Sequence, residues 1–99
     1  MDLARNLIQK AVYAADPRVA EAVVVGLPHE RWSEAITAVV VPKPGETLDP
    51  GGLLAALRSL LDGYKMPKAV IVVDELPRTS TGKIQKNVVR DQHAARYEA

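Results

Sequence analysis

Two short valine-rich segments constrain the fold of this chain more than any other feature. Residues 19–27 and 35–41 are too short for buried helices and are rich in β-branched side chains, which favour strands. Their apolar residues run almost without alternation, which predicts a sheet covered on both faces. Gly26-Leu27-Pro28 is expected to end the first strand, and only the polar link 29–33 then precedes the second. So short a link predicts that the two strands are antiparallel neighbours.

Helical patterns surround these strands. Apolar residues recur at helical spacing over residues 3–15, and Asp16-Pro17 predicts the end of that helix, because the residue before a proline avoids the helical conformation. Three further elements are predicted, a strand, a loop and a polar helix, over residues 69–73, 74–82 and 84–95.

The second helix is predicted from Asp49 to Asp62. Asp49 suits the N-cap position and Pro50 the first helical position. An apolar stripe is expected to face the core, formed by Leu53, Leu54, Leu57, Leu60 and Leu61. The element order α-β-β-α-β-loop-α indicates a single α+β domain over residues 1–99, with a small three-stranded, mostly antiparallel sheet flanked by helices.

Composition excludes several classes of function. A chain of 99 residues suits one modest core, with no deep, walled substrate cavity beside it. A net charge of +1 gives no field that would attract nucleic acid. Cysteine is absent, and His29 and His93 lie far apart in sequence, so no metal site is expected. No apolar run approaches the roughly 20 residues of a membrane span, no signal peptide is evident, and a cytoplasmic location is expected.

The segment from Leu76 to Ile84 is the best candidate for chemistry. Its Lys83 follows a glycine and a hydroxyl-rich run, a pattern that suits a mobile cation presented to a phosphate or carboxylate. The alternative interpretation is a surface turn with a solvated lysine. The segment is not a Walker A loop, because Pro77 stands where the first glycine is needed and Ile84 where a serine or threonine would hold magnesium.

Two other segments carry weaker signals. Trp32 lies among charged residues in a predicted link, which is compatible with either a core anchor or an interdomain contact. The second predicted helix is followed by Tyr64, Lys65 and Lys68. These residues are compatible with a local interface or an anion contact, or simply with a capped helix end that leads into the next strand.

Four segments, at residues 24–34, 40–45, 63–68 and 76–84, resemble a known series of motifs in the same order: VVGxPDxxxGE, VxxKPG, YKxPK and LPRTxTGKIxK. On these motifs the chain resembles the C-terminal domain of adenylate-forming enzymes. This superfamily includes acyl- and aryl-CoA synthetases, the adenylation domains of peptide synthetases and firefly-type luciferases. The similarity covers about three quarters of the chain, from Asp16 to about residue 91.

The resemblance implies a two-step reaction. ATP and a carboxylic acid form an acyl-adenylate and pyrophosphate, and the thiol of coenzyme A then displaces AMP. Lys83 would be the catalytic lysine of the first step, with Thr81 and Gly82 in the loop that contacts substrate and nucleotide. The domain would act as a mobile lid that rotates between the steps. Interdomain or CoA-side contacts would come from Trp32, Tyr64, Lys65 and Lys68.

The resemblance also implies partners. The large N-terminal adenylating domain, in cis or in trans, is expected to complete the site, since the sequence does not contain it. ATP, Mg²⁺ and coenzyme A belong to the complete enzyme, and none is expected to bind this domain alone, which should be inactive in isolation. The spacing from Pro77 to Lys83 also matches sites of regulatory lysine acetylation in some relatives, and acetylation would remove the charge that the first step needs.

The assignment within this superfamily leaves alternatives. We expect a fatty-acid or acyl-CoA ligase acting on medium- or long-chain acids. The alternatives are the C-terminal subdomain of a peptide-synthetase adenylation domain and a stand-alone, non-enzymatic interaction module. The resemblance implies that the chain is either an excised domain or a stand-alone remnant. Ser33 departs from the family pattern, in which a glycine precedes the glutamate.

Overall fold

The computed structural model describes residues 3–29, 33–61 and 66–96. Its helices are α1 (Leu3–Ala15), α2 (Pro50–Arg58) and α3 (Lys86–Gln92), and its strands are β1 (Val19–His29), β2 (Ser33–Pro42) and β3 (Ala69–Val72). This order confirms the predicted α+β fold.

The three strands form one sheet in the order β1-β2-β3. Strands β1 and β2 are antiparallel over a long ladder from Val19↔Pro42 to His29↔Ser33, which confirms the predicted pairing. Strand β3 adds a shorter parallel ladder to β2, because α2 lies in the connection between them and returns the chain in the same direction. The sheet is therefore mixed, and its longer ladder is the antiparallel one.

The prediction that β1 ends at Gly26-Leu27-Pro28 is wrong, since the strand continues to His29. Proline is tolerated here because β1 is an edge strand, where a residue without an N–H group need not interrupt the ladder. The Glu34 side chain reaches over Gly26 to form an ion pair with Arg5 of α1. A Cβ atom at position 26 would overlap this flexible side chain, which would then have to move.

Apolar side chains cover both faces of the sheet, as the unbroken valine runs predicted. One core lies between the sheet and the helices α1 and α2, with the buried members Ile8, Val12, Val19, Ala22, Val24, Ala38, Val40, Leu48, Leu53, Leu57 and Val70. The second core lies on the opposite face, beneath α3 and the chain that leads to it, with Val23, Val25, Leu27, Val39, Val41, Leu76 and Val89. The sheet is thus the middle layer of three.

The second helix is shorter than predicted, ending at Arg58 rather than Asp62. The Ser59 N–H donates to the Ala56 carbonyl and the Leu60 N–H to the Leu57 carbonyl, so the last turn tightens to the three-residue repeat. Leu60 lies beyond the end of the helix and is 51% exposed, whereas Leu57 is buried and Leu61 packs against the core. The last helix is also shorter than predicted at both ends. It begins later because Ile84 pairs with Arg78 in a single antiparallel bridge, and it ends at Gln92.

The start of α2 has the predicted cap. The Asp49 carboxylate accepts a hydrogen bond of 3.1 Å from the Gly52 N–H, and Pro50 is the first helical residue. Leu48 and Leu53, on either side of the cap, are buried in the same core.

We expect Asp49→Ala to lower the free energy of unfolding by about 1 kcal/mol, because it removes an N-cap acceptor. Urea denaturation followed by circular dichroism measures the change. Asp49→Asn is the matched control, since it keeps an acceptor and should stay close to wild type. Equal losses in the two variants would show that the charge of Asp49, and not its capping bond, stabilises the helix.

Candidate functional site

The predicted lysine lies in a small hairpin-like loop between β3 and α3, here called the Lys83 loop (residues 77–85). Its two sides are joined by backbone hydrogen bonds: the Thr79 N–H donates to the Lys83 carbonyl at 2.8 Å and the Gln85 N–H to the Pro77 carbonyl at 2.8 Å. Across the turn, the Gly82 N–H donates to the Thr79 carbonyl at 2.9 Å. The loop that the sequence predicted therefore has a defined backbone.

The hydroxyl groups of the loop are part of this structure. Thr79 Oγ1 accepts a hydrogen bond of 3.2 Å from the Lys83 N–H and lies 2.9 Å from the hydroxyl of Thr81. Gly82 has a φ angle of +88° and open space where a side chain would start. Glycine is required here by the left-handed backbone, not by a close contact. Thr79 thus holds Lys83 by both its N–H and its carbonyl.

The base of the loop is fixed in the second core. Leu76 is buried and Ile84 packs against the same cluster. Thr81, Gly82 and Lys83 are exposed. The structure therefore combines a buried base with an accessible tip.

The side chain of Lys83 is exposed at the tip of the loop. The structure gives its ammonium no hydrogen bond or ion pair with any residue in the described ranges 3–29, 33–61 and 66–96. A lysine ammonium is a compact charge on a flexible stem, suited to a phosphate or a carboxylate. The backbone of Lys83 is held by hydrogen bonds while its side chain is exposed, so its charge is accessible from outside the loop.

Lys68 is separated from the Lys83 loop. It is exposed just before β3, where its N–H donates to the Ile36 carbonyl at 2.7 Å. The Lys83 loop lies beyond the other end of β3, beside Glu21, which pairs with Val41. The five residue steps along β2 from Ile36 to Val41 correspond to about 17 Å along the sheet.

Lys68 faces a different part of the surface. It lines a cleft of about 190 Å³ together with the first turn of α2 and Arg96. The other predicted contact residues, Trp32, Tyr64 and Lys65, lie outside the described residues and stay predictions.

Two residues to which the sequence assigned no role restrain the loop, Arg78 from within it and Glu21 from β1. Arg78 Nη1 donates to the Gly82 carbonyl at 2.7 Å, and the same guanidinium forms an ion pair with Glu21 of β1. The sequence marks Glu21 as unusual, because it is the one charged residue of the apolar segment 19–28. Nothing in the sequence pairs it with Arg78, however.

The remaining surface features lie apart from the loop. An open groove of about 440 Å³ runs along α1, on the opposite face of the sheet, and is lined by Asn6, Leu7, Gln9, Lys10 and Tyr13. Within the described ranges, no cluster of three or more His, Asp or Glu side chains could hold a metal ion. The described residues of this chain therefore do not form a Mg²⁺ site of their own. None of the helices described is long and apolar enough to cross a membrane.

Comparison with known proteins gives a consistent set of relatives. The family model of the AMP-binding enzyme C-terminal domain matches residues 10–83. An indoleacetate–CoA ligase of Aromatoleum aromaticum is 51% identical over 74 residues, which are 75% of this chain and 14% of the ligase.

Solved structures agree. The crystal structure of apo MatB from Rhodopseudomonas palustris superposes with a TM-score of 0.88 at 42% identity, over 95% of this chain and 19% of MatB. A fatty acyl CoA synthetase of Mycobacterium tuberculosis gives a TM-score of 0.80 at 37% identity, over 91% of this chain and 18% of the synthetase. The chain thus spans less than one fifth of the length of each of these relatives.

Proposed function

This chain belongs to the AMP-binding enzyme C-terminal domain family, and on that premise we propose that it is the mobile lid of an adenylate-forming acyl-CoA ligase. In this proposal Lys83 is the catalytic residue of acyl-adenylate formation. The observation that carries the proposal is the exposed Lys83 ammonium on a backbone held by Thr79. A large adenylating domain would supply the nucleotide and acyl pockets.

The proposed first step is an attack of the substrate carboxylate on the α-phosphorus of ATP. A carboxylate oxygen forms the new P–O bond, the bond to the β-phosphate bridge breaks, and its electron pair leaves with pyrophosphate. Negative charge concentrates around the α-phosphate as this occurs. The Lys83 ammonium would neutralise part of it, an electrostatic role that needs no proton transfer.

The proposed second step does not need Lys83. A thiolate sulfur of coenzyme A attacks the acyl carbon, and the bond to the AMP oxygen breaks with its electron pair on AMP. The placement of Lys83 and Lys68 toward opposite ends of the sheet, about 17 Å apart along β2, supports a domain that presents different surfaces in the two steps. A hinge rotation of the whole domain would exchange them.

The acid is proposed as a medium- or long-chain fatty acid. Similar C-terminal domains occur in an indoleacetate–CoA ligase and in a fatty acyl CoA synthetase. This spread supports an acyl pocket that lies in the other domain, so aryl acids belong in any substrate panel. We also propose that Lys83 is accessible to a lysine acetyltransferase, because its side chain is exposed, and that acetylation would stop the first step.

Reconstitution tests the proposal. The chain is mixed with the matching N-terminal adenylating domain, and ATP–pyrophosphate exchange is measured with a panel of fatty and aryl acids. We expect exchange to rise when this chain is added, because neither part alone holds the complete site. Addition of coenzyme A should then yield the acyl thioester. An exchange rate that does not depend on this chain would contradict the proposed function.

A further inference from the structure

We propose that Arg78 is a positioning residue for Lys83, linking the peptide group before Lys83 to Glu21 in the sheet. This inference rests on the proposed function, since it concerns how the lysine of the first step is presented. Arg78 itself is not expected to touch the substrate.

The peptide group that joins Gly82 to Lys83 is held at both of its polar atoms. Its carbonyl oxygen accepts from Arg78 Nη1 at 2.7 Å, and its N–H donates to Thr79 Oγ1 at 3.2 Å. The peptide unit is planar, so bonds to both of its polar groups fix the orientation of the plane. That orientation sets the direction in which the Lys83 side chain leaves the backbone.

Arg78 also connects the Lys83 loop to the sheet. The hydrogen bonds of Thr79 join atoms of the loop to one another, so they fix its internal shape and not its position on the domain. The ion pair from Arg78 to Glu21 adds a link to β1, where Glu21 is paired with Val41 in the long ladder. Both side chains are partly accessible, at 39% and 29%, so the pair is expected to position the loop and to add little to stability.

The shape of the Arg78 guanidinium suits it to hold two partners at once. One planar group with several donors can serve the Gly82 carbonyl and the Glu21 carboxylate together. A lysine offers one nitrogen on a flexible stem and would hold either partner less rigidly. Glycine at position 82, with φ at +88°, also gives the loop a flexible residue next to Lys83, which makes an added restraint useful.

The experiment measures both half-reactions in the reconstituted enzyme. Arg78→Gln should lower acyl-adenylate formation by roughly 10–100-fold, the cost expected of a small displacement of a reacting group. Thioester formation from preformed acyl-adenylate and the melting temperature of the chain should be unchanged. Arg78→Lys should recover part of the first step. Arg90→Gln, which removes an exposed arginine of α3, is the control and should behave as wild type.

Glu21 provides the second variant. If Arg78 acts through Glu21, then Glu21→Gln lowers the first step less than Arg78→Gln does, and the double variant is no worse than Arg78→Gln alone. Hydrogen exchange of the Lys83 amide in this chain gives a readout besides activity, and it should become faster in Arg78→Gln. A wild-type adenylation rate in Arg78→Gln, or an equal fall in both half-reactions, would overturn the inference.

Lys83→Ala separates this inference from the proposed function. If that variant keeps its adenylation rate, the proposed function fails. If it loses adenylation while Arg78→Gln does not, only the positioning role of Arg78 fails.

Discussion

Lys83→Ala in the reconstituted enzyme should lower the rate of acyl-adenylate formation by about 10²–10³-fold, the loss typical of removing one group that stabilises developing charge. The alanine leaves the backbone bonds between Thr79 and Lys83 in place, because these involve only main-chain atoms of residue 83. The expected loss therefore comes from the ammonium and not from a collapsed loop.

Two matched variants define the origin of that loss. Lys86→Ala removes the same charge three residues further along, from an exposed position at the start of α3, and should leave the rate unchanged. Lys83→Arg keeps the charge in a bulkier, planar group and should recover part of the activity. The measurement is pyrophosphate exchange under conditions that saturate ATP. Equal losses in Lys83→Ala and Lys86→Ala would indicate a general charge effect.

The second large effect concerns stability. Leu57→Ala should lower the free energy of unfolding by about 2–5 kcal/mol, because it removes buried methyl groups and leaves a cavity. Leu57 is fully buried in the core between the sheet and the helices α1 and α2. A domain of this size is stable by only about 5–15 kcal/mol, so the variant should lose a large part of its stability.

Leu60→Ala is the matched control for Leu57→Ala. Both leucines belong to the stripe that the sequence predicted for one helix face, but Leu60 is 51% exposed. We expect the Leu60 variant to stay within about 0.5 kcal/mol of wild type. Urea denaturation at equilibrium measures both. Similar losses in the two variants would contradict the packing described for the second helix.

Much of the fold could be predicted because local chemistry determines it. Unbroken valine runs indicated a sheet with two covered faces, and an aspartate followed by proline indicated a capped helix. The errors arose where tertiary contacts decide. Pro28 was predicted to end its strand but is tolerated on a sheet edge, and Leu60, which fits the helical period, lies beyond the end of the helix and is exposed.

The candidate site divides in the same way. Lys83 could be predicted because glycine, hydroxyl groups and lysine are adjacent in sequence. The Arg78–Glu21 pair could not, because it joins residues of separate elements that only the sheet brings together. Lys68 and Lys83 are separated because β3 lies between them in the chain, and the parallel pairing of β3 was not predicted although a helix between two strands is typical of it.

The most direct test of the central claim is the pair of half-reaction rates of Lys83→Ala in one reconstituted preparation. Single-turnover formation of the acyl-adenylate is compared with thioester formation from preformed acyl-adenylate and coenzyme A. If the lid brings Lys83 into the site for the first step alone, the first rate should fall strongly and the second should change little. Equal falls in both rates, or no fall in the first, would contradict that role.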